Sequence, residues 1–167
     1  GKLLEQDAGV IHKLMEINYG GLVNISKATV PQMVARGEGE FISFASMAGI
    51  IPGLMMGAYN ATKAAVAMYT EVLYHENRDS GVKFACVCPP AVATPLIQQG
   101  KDTAWPKLMS TKEDSYMTPD GVVDAVEVEM EKGKFWVFPH KDAKIGYIMR
   151  RFLPNLVWKS IHDLEGW

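Results

Sequence analysis

The sequence predicts an α/β fold built on parallel strands, and three observations predict it. Short apolar runs at residues 40–45, 82–88 and 135–138 alternate with helical patterns. The order α-β-α-β-α-β-α implies parallel strands joined by right-handed crossovers. The run at 82–88 is apolar throughout apart from Lys83, as expected of a strand buried on both faces of a parallel sheet. Finally, a serine closes the first strand, and a tyrosine and a lysine open the next helix. That is where an open α/β sheet places its ligand crevice.

Residues 7–35 read as one long helix, with Ile11, Leu14, Met15, Asn18, Leu22, Ile25 and Thr29 on the helical period and Asp7 as N-cap. Gly20 and Gly21 fall inside it and weaken an isolated helix by about 1 kcal/mol each. Their small size invites close approach of another backbone. Pro31 is expected to bend or shorten the last turns. Residues 36–39 form a turn and residues 40–45 a strand. An apolar loop, 49–57, leads to a second long helix over 58–77, closed by a turn at 77–81. After the strand at 82–88, residues 89–117 lack periodicity and read as a long loop with one or two short helices, a length that points to function. Thr118 caps a third helix with Pro119 at its first position, and Gly133 ends it. Residues 135–138 form the last strand. Residues 141–164 are amphipathic and helical, broken near Pro154.

At 167 residues, 48% hydrophobic and 22% charged, the chain can bury a sizeable core and is not a disordered segment. A net charge of −2 gives no reason to expect nucleic acid as a partner. Cys86 and Cys88 alternate on one strand face, which is not a metal or redox spacing. They read as buried structural thiols and fit a reducing compartment, so the expected location is the cytoplasm. His12, His75, His140 and His162 show no ligand spacing, and no metal is expected. No apolar run approaches membrane-spanning length. The segment 145–158 carries an apolar face beside Arg150 and Arg151 and can lie on a membrane or cover a hydrophobic pocket. Packing on its own fold or on a second subunit is the expectation.

The chemistry concentrates at Ser46, Tyr59 and Lys63. The serine precedes the tyrosine by thirteen residues, and the lysine follows it by four, on the same helix face. A phenol with a pKa of about 10 transfers protons poorly near neutrality. A cation one turn away favours the phenolate, and a hydroxyl nearby can hold a substrate oxygen. Ser43 is the weaker serine, three residues too early.

Together with the Ser-Met-Ala-Gly turn at 46–49, Asn18 in the first helix and the stretch from Pro89 to Thr94, this set resembles the active site of the short-chain dehydrogenase/reductase family. The resemblance covers nearly the whole chain, and the chain resembles the C-terminal, catalytic part of that family's Rossmann-like, doubly wound parallel sheet. It implies one partial domain over 1–167, a substrate-loop region at 90–117 and a C-terminal helical extension at 141–167. It implies Tyr59 as general acid/base, Ser46 as holder of the substrate oxygen, and Lys63 as the cation that lowers the phenol pKa and binds the cofactor ribose. Asn18 would hold a water in a proton relay. Pro89, Val92 and Thr94 would meet the nicotinamide of NAD or NADP. Pro90 stands where the family has glycine, and would narrow the pocket. Met56 and Pro90 would touch substrate, with Met55, Ile97, Trp105, Leu108 and Met109 as further contacts. These apolar residues suggest a hydrophobic alcohol or ketone.

The family's glycine-rich turn for the cofactor diphosphate does not occur in the sequence, nor does its N-terminal βαβ half. Two readings follow. The chain is the catalytic part of a hydride-transferring oxidoreductase, or it is a non-catalytic binding or dimerisation module. By the same resemblance, the helices at 7–35 and 58–77 would form a homodimer or homotetramer interface.

Overall fold

Three parallel strands, in the order β1-β2-β3, carry the fold: β1 (Gly39–Phe44), β2 (Val82–Val87) and β3 (Trp136–Val137). The computed structural model describes residues 1–97, 106–110 and 116–167. Part of the stretch 90–117, including Trp105, lies outside the described residues. Helix α1 (Ala8–Met15), a π-helical turn (Glu16–Gly20) and α2 (Gly21–Arg36) run on without a break. Helix α3 (Gly57–Glu76) follows β1. After β2 come a four-residue helix, α4 (Lys107–Ser110), and then α5 (Pro119–Glu131). Helices α6 (Lys141–Phe152) and α7 (Pro154–Glu165) close the chain.

The strands register as their side-chain pattern requires. β2 faces helices on both sides, and alternate residues enter different cores. Ala85 and Val87 pack with Val122, Val126 and Met130 of α5, while Cys86 and Cys88 pack with Val66 and Ala67 of α3. A third cluster joins Val30 of α2 to Phe41, Val82 and Phe84. The sheet is therefore doubly wound, with α2 and α3 on one face and α5 on the other. Both cysteines are free and buried. On β1 the pattern is one-sided: Phe41 and Ser43 are buried, whereas Ile42 and Phe44 are exposed beside α5.

Local chemistry sets the helix ends. Asp7 accepts from the Val10 amide at 3.2 Å, and Thr118 from the Gly121 amide at 3.1 Å. Gly37, at φ 75°, ends α2 in the left-handed conformation that glycine adopts at least cost. Thr118→Ala is expected to lower unfolding stability by about 1 kcal/mol in urea titration, because the cap bond to an otherwise orphan amide is lost.

Three expectations need correction. Pro31 does not shorten α2, which continues to Arg36; the residue is exposed, so the carbonyl it would otherwise pair with can face solvent. Gly20 and Gly21 admit no close backbone, since a side chain at either would meet open space. The last strand is two residues rather than four, being limited to the part that pairs with Cys86 and Val87. The C-terminal helices pack on the fold through Ala143, Val157 and Ile161, yet leave Ile145, Ile148, Phe152, Leu153 and Leu156 exposed. Among the described residues no helix is long and apolar enough to cross a membrane.

Candidate active site

β1 delivers the chain to the crevice at its C-terminal end. Ser46 follows the strand in extended conformation, and its Oγ accepts from the Ala48 amide at 3.1 Å, starting a single 3-10 turn over Met47–Gly49. That turn packs hard on α3. A Cβ on Gly49 would stand 2.6 Å from the Lys63 carbonyl carbon and oxygen, so only glycine fits. The close approach sets the Ser46 hydroxyl near the Tyr59 phenol.

Lys63, one turn on, donates from Nζ to the Phe44 carbonyl at 2.8 Å, which pins α3 to the end of β1. Its ammonium lies 5.8 Å from the Tyr59 ring centroid. Burial lowers the Lys63 pKa, and the neighbouring Cys86 and Cys88 oppose that shift. Burial also pushes the Tyr59 phenol up, and the Ser46 hydroxyl brings it only partly back. A phenol lowered by Lys63 is thus not the state of this chain: the cation is bonded to a carbonyl, and desolvation decides the direction. Cys88 stays a neutral thiol, raised first by its hydrogen bond with Cys86 and then by burial.

The sign of the Tyr59 shift has a consequence. Above about pH 10 an unfolded phenol ionises while the buried one resists, so stability present below that pH is lost as the pH rises. Lys63 acts in the opposite sense, its contribution appearing only above its ordinary value. Urea unfolding at about pH 9 and pH 11 is expected to show a steeper loss for wild type than for Tyr59→Phe.

Asn18 lies in the π-helical turn, a feature that often marks functional sites. Its Nδ2 donates to Thr62 Oγ1 at 2.9 Å, and that hydroxyl donates to the Tyr59 carbonyl at 2.8 Å. Asn18 is thereby tied to α3 one residue from Lys63. Sequence reasoning missed Thr62, which is fully buried between the helices. The signal was present: a hydroxyl three residues after Tyr59 facing a polar residue on another apolar helix face. It also missed Asn60, whose Nδ2 donates to the Gly53 carbonyl at 2.9 Å and braces the apolar loop. Ser43 is a packing residue, bonded to Thr70 Oγ1 at 2.8 Å within the core.

The loop after β2 is fixed to the same turn. The Met47 amide donates to the Pro89 carbonyl at 3.0 Å. Ala91 and Ala93 exchange backbone hydrogen bonds with Met117, making a parallel bridge at Val92 that the sequence did not announce. Pro90 and Thr94 are half-buried on this loop. Met55 and Met56 precede α3, Met56 as its N-cap residue and Met55 at φ 65°, a left-handed conformation unusual for a side-chain-bearing residue. Ile97, Leu108 and Met109 are half-buried. Among the described residues no group of His, Cys, Asp and Glu could hold a metal.

An open parallel sheet with a hydroxyl, a phenol and an ammonium at its C-terminal edge defines the class: an α/β protein of the doubly wound kind, with these groups where such sheets place a ligand. Comparison with known proteins makes the assignment specific. The sequence model for short chain dehydrogenase matches residues 1–105, and the chain belongs to that family. It is 28% identical over 148 residues to the Drosophila melanogaster dehydrogenase/reductase SDR family protein 7-like, covering 86% of this chain and 45% of that relative. A short-chain dehydrogenase from Sphingobium yanoikuyae, solved in complex with NADPH, superposes with a TM-score of 0.73 at 25% identity, over 93% of this chain and 59% of that one. A short chain dehydrogenase/reductase from Burkholderia phymatum, solved in complex with NAD, gives 0.80 at 23% identity, over 93% and 62%. The chain thus covers part of the family fold.

Proposed function

We propose that the protein carrying this chain is an NAD(P)-dependent oxidoreductase that interconverts a hydrophobic secondary alcohol and its ketone. The observation that carries the reading is the gathering of Ser46, Tyr59 and Lys63 at the end of β1, with Lys63 over the tyrosine ring and bonded to the Phe44 carbonyl, in a chain of this family. The residues fit the nicotinamide-ribose end of such a cofactor. Lys63 reaches the crevice edge, and the Pro89–Thr94 loop is held to the Ser46 turn by the Met47–Pro89 bond. The glycine-rich turn for the diphosphate does not occur in these 167 residues, and the chain spans about half the length of the curated relatives it matches. The solved relatives bound to NADPH and to NAD support a nicotinamide cofactor without choosing between them.

When bound, the cofactor supplies or accepts the hydride at the carbonyl carbon. Ser46 orients the substrate oxygen. Tyr59 Oη gives its proton to that oxygen in reduction and takes it back in oxidation. Burial holds the phenol in its protonated form, the form that donates in reduction. Lys63 and Asn18 hold α3 in place against β1 and the π-helical turn. Met55, Met56 and Pro90 supply an apolar rim. The free cysteines agree with a reducing compartment such as the cytoplasm.

Ile17, Ile25, Met68 and Val72 are exposed on the outer sides of the two long helices, which supports assembly into a homodimer or homotetramer there. A monomeric mass in light scattering of the full-length protein would contradict that assembly. The function itself is tested by fluorescence titration with NADH and NADPH, followed by turnover of 2-octanone, cyclohexanone and acetophenone. Binding of one cofactor with reduction of at least one ketone is expected; binding of neither would overturn the reading.

A further inference from the structure

The two C-terminal helices present an apolar surface that the proton-transfer site does not use. α6 has a packed face and an outer face. On the packed face Ala143 is buried, a Cβ on Gly146 would meet Ile51 and Met47 in the loop after Ser46, and the Tyr147 ring lies 6.2 Å from that of Trp136 and 5.3 Å from that of Phe138. Ile145, Ile148 and Phe152 fall on the other side, since spacings of three and four residues share one helix face. All three are exposed, Phe152 by 71%. The chain then turns: Leu153 leaves the helical conformation and Pro154 opens α7. α7 buries Val157, Ile161 and Glu165 at intervals of four and leaves Leu156 outside, as Leu153 is. Five of the twelve residues at 145–156 are therefore large apolar side chains in solvent. Single exposed apolar residues are ordinary, whereas a cluster of them marks an interaction surface.

The charges around the cluster select its partner. Residues 141–159 hold five cations, Lys141, Lys144, Arg150, Arg151 and Lys159, against one carboxylate, Asp142, in a chain of net charge −2. By the helical period Lys141, Lys144 and Arg151 flank the stripe of Ile145, Ile148 and Phe152, and all three are exposed. Lys144 is also close enough to Glu129 of α5 to favour that carboxylate. A second copy of this chain is a poor occupant: a two-fold contact sets a patch against itself, and here it would set cations against cations. An anionic lipid surface fits both features. Its headgroups attract lysine and arginine, and its acyl boundary takes up the apolar stripe of a helix lying in the membrane plane. Spanning the bilayer is ruled out by length, for α6 and α7 have 12 residues each, where about 20 are needed.

We propose that the outer face of α6, with the corner at Phe152 and Leu153, docks on an anionic lipid bilayer and lies in its interface. The inner face of α6 rests on the loop after Ser46, so docking sets the lipid one helix away from that loop. The test sediments the full-length protein with vesicles of phosphatidylcholine alone and of phosphatidylcholine and phosphatidylserine in equal parts, at about 0.1 M salt. Wild type is expected to bind the serine-containing vesicles about tenfold more tightly than the neutral ones, and less tightly at about 0.5 M salt. Ile148→Ser with Phe152→Ser should weaken binding about tenfold or more, because the inserted side chains are gone. Lys141→Gln with Arg151→Gln should weaken binding to the serine-containing vesicles by about tenfold and leave binding to the neutral ones unchanged. Both variants alter only exposed side chains, so their urea midpoints should match wild type.

Wild type that binds neither kind of vesicle, or binds both equally, overturns the inference and leaves the enzyme reading intact. A mass in light scattering that Ile148→Ser with Phe152→Ser reduces by half overturns it as well, because the surface then meets a second copy. If both variants stay on the vesicles as wild type does, another segment anchors the protein, and hydrogen exchange over residues 148–156 decides. Slower exchange on serine-containing than on neutral vesicles supports the docking, and equal exchange overturns it.

Discussion

Tyr59→Phe should abolish nearly all ketone reduction, with kcat falling by about 10²–10⁴-fold and cofactor Kd changing by less than about twofold. In the proposed mechanism the phenol delivers the proton. Ser46 Oγ is engaged with the Ala48 amide at the start of its turn, and Lys63 is committed to the Phe44 carbonyl. Neither can replace the lost proton without leaving its partner. Phenylalanine keeps the ring and its burial, so the crevice should keep its shape and the cofactor its site. Turnover at near wild-type rate in this variant would show that another group, or a water, carries the proton, and the role assigned to Tyr59 would fall.

Gly49→Ala should have the second-largest effect. The added methyl would meet the Lys63 carbonyl carbon and oxygen at 2.6 Å and the Ala64 amide nitrogen at 2.8 Å. These are backbone atoms in the middle of a long helix, and they cannot swing aside as a side-chain tip would. The turn must move instead, carrying Ser46 away from Tyr59. A loss of about 2 kcal/mol in unfolding stability is expected, at the upper part of the usual range for overpacking, with turnover falling by about tenfold or more. Gly20→Ala is the internal control. A side chain there meets open space within a helical segment, so stability should stay level or rise by up to about 1 kcal/mol. Equal effects from the two substitutions would contradict the account of why glycine stands at position 49.

The parts of this fold that were legible in the sequence are those fixed by near neighbours. Asp7 and Thr118 announce helix starts because a short acceptor before an apolar period has a local use. The alternation of Ala85 and Val87 with Cys86 and Cys88 announces a strand between two helical layers, because side chains on a strand change face at each step. Tyr59 and Lys63 announce themselves by a spacing of one helical turn. What the sequence concealed depends on contacts between distant segments. Pro31 carries a local signal to stop a helix, and solvent exposure together with the packing of Val30 overrides it. The π-helical turn around Asn18 has no residue signature beyond the asparagine itself. The direction of the Tyr59 shift follows from how deeply the ring is buried, which spacing cannot report. The bridge at Val92 joins segments far apart in the chain, and no periodicity links them.

The measurement that tests the central claim most directly is deuterium transfer from cofactor to product. The full-length protein is given NADH or NADPH labelled with deuterium at the reactive nicotinamide carbon, together with 2-octanone, cyclohexanone and acetophenone, and each alcohol formed is weighed by mass spectrometry. Wild type should yield an alcohol heavier by one deuterium at the carbinol carbon, and Tyr59→Phe should yield almost none. An alcohol formed without the label, or no alcohol from any of the ketones with either cofactor, would contradict hydride transfer at this site.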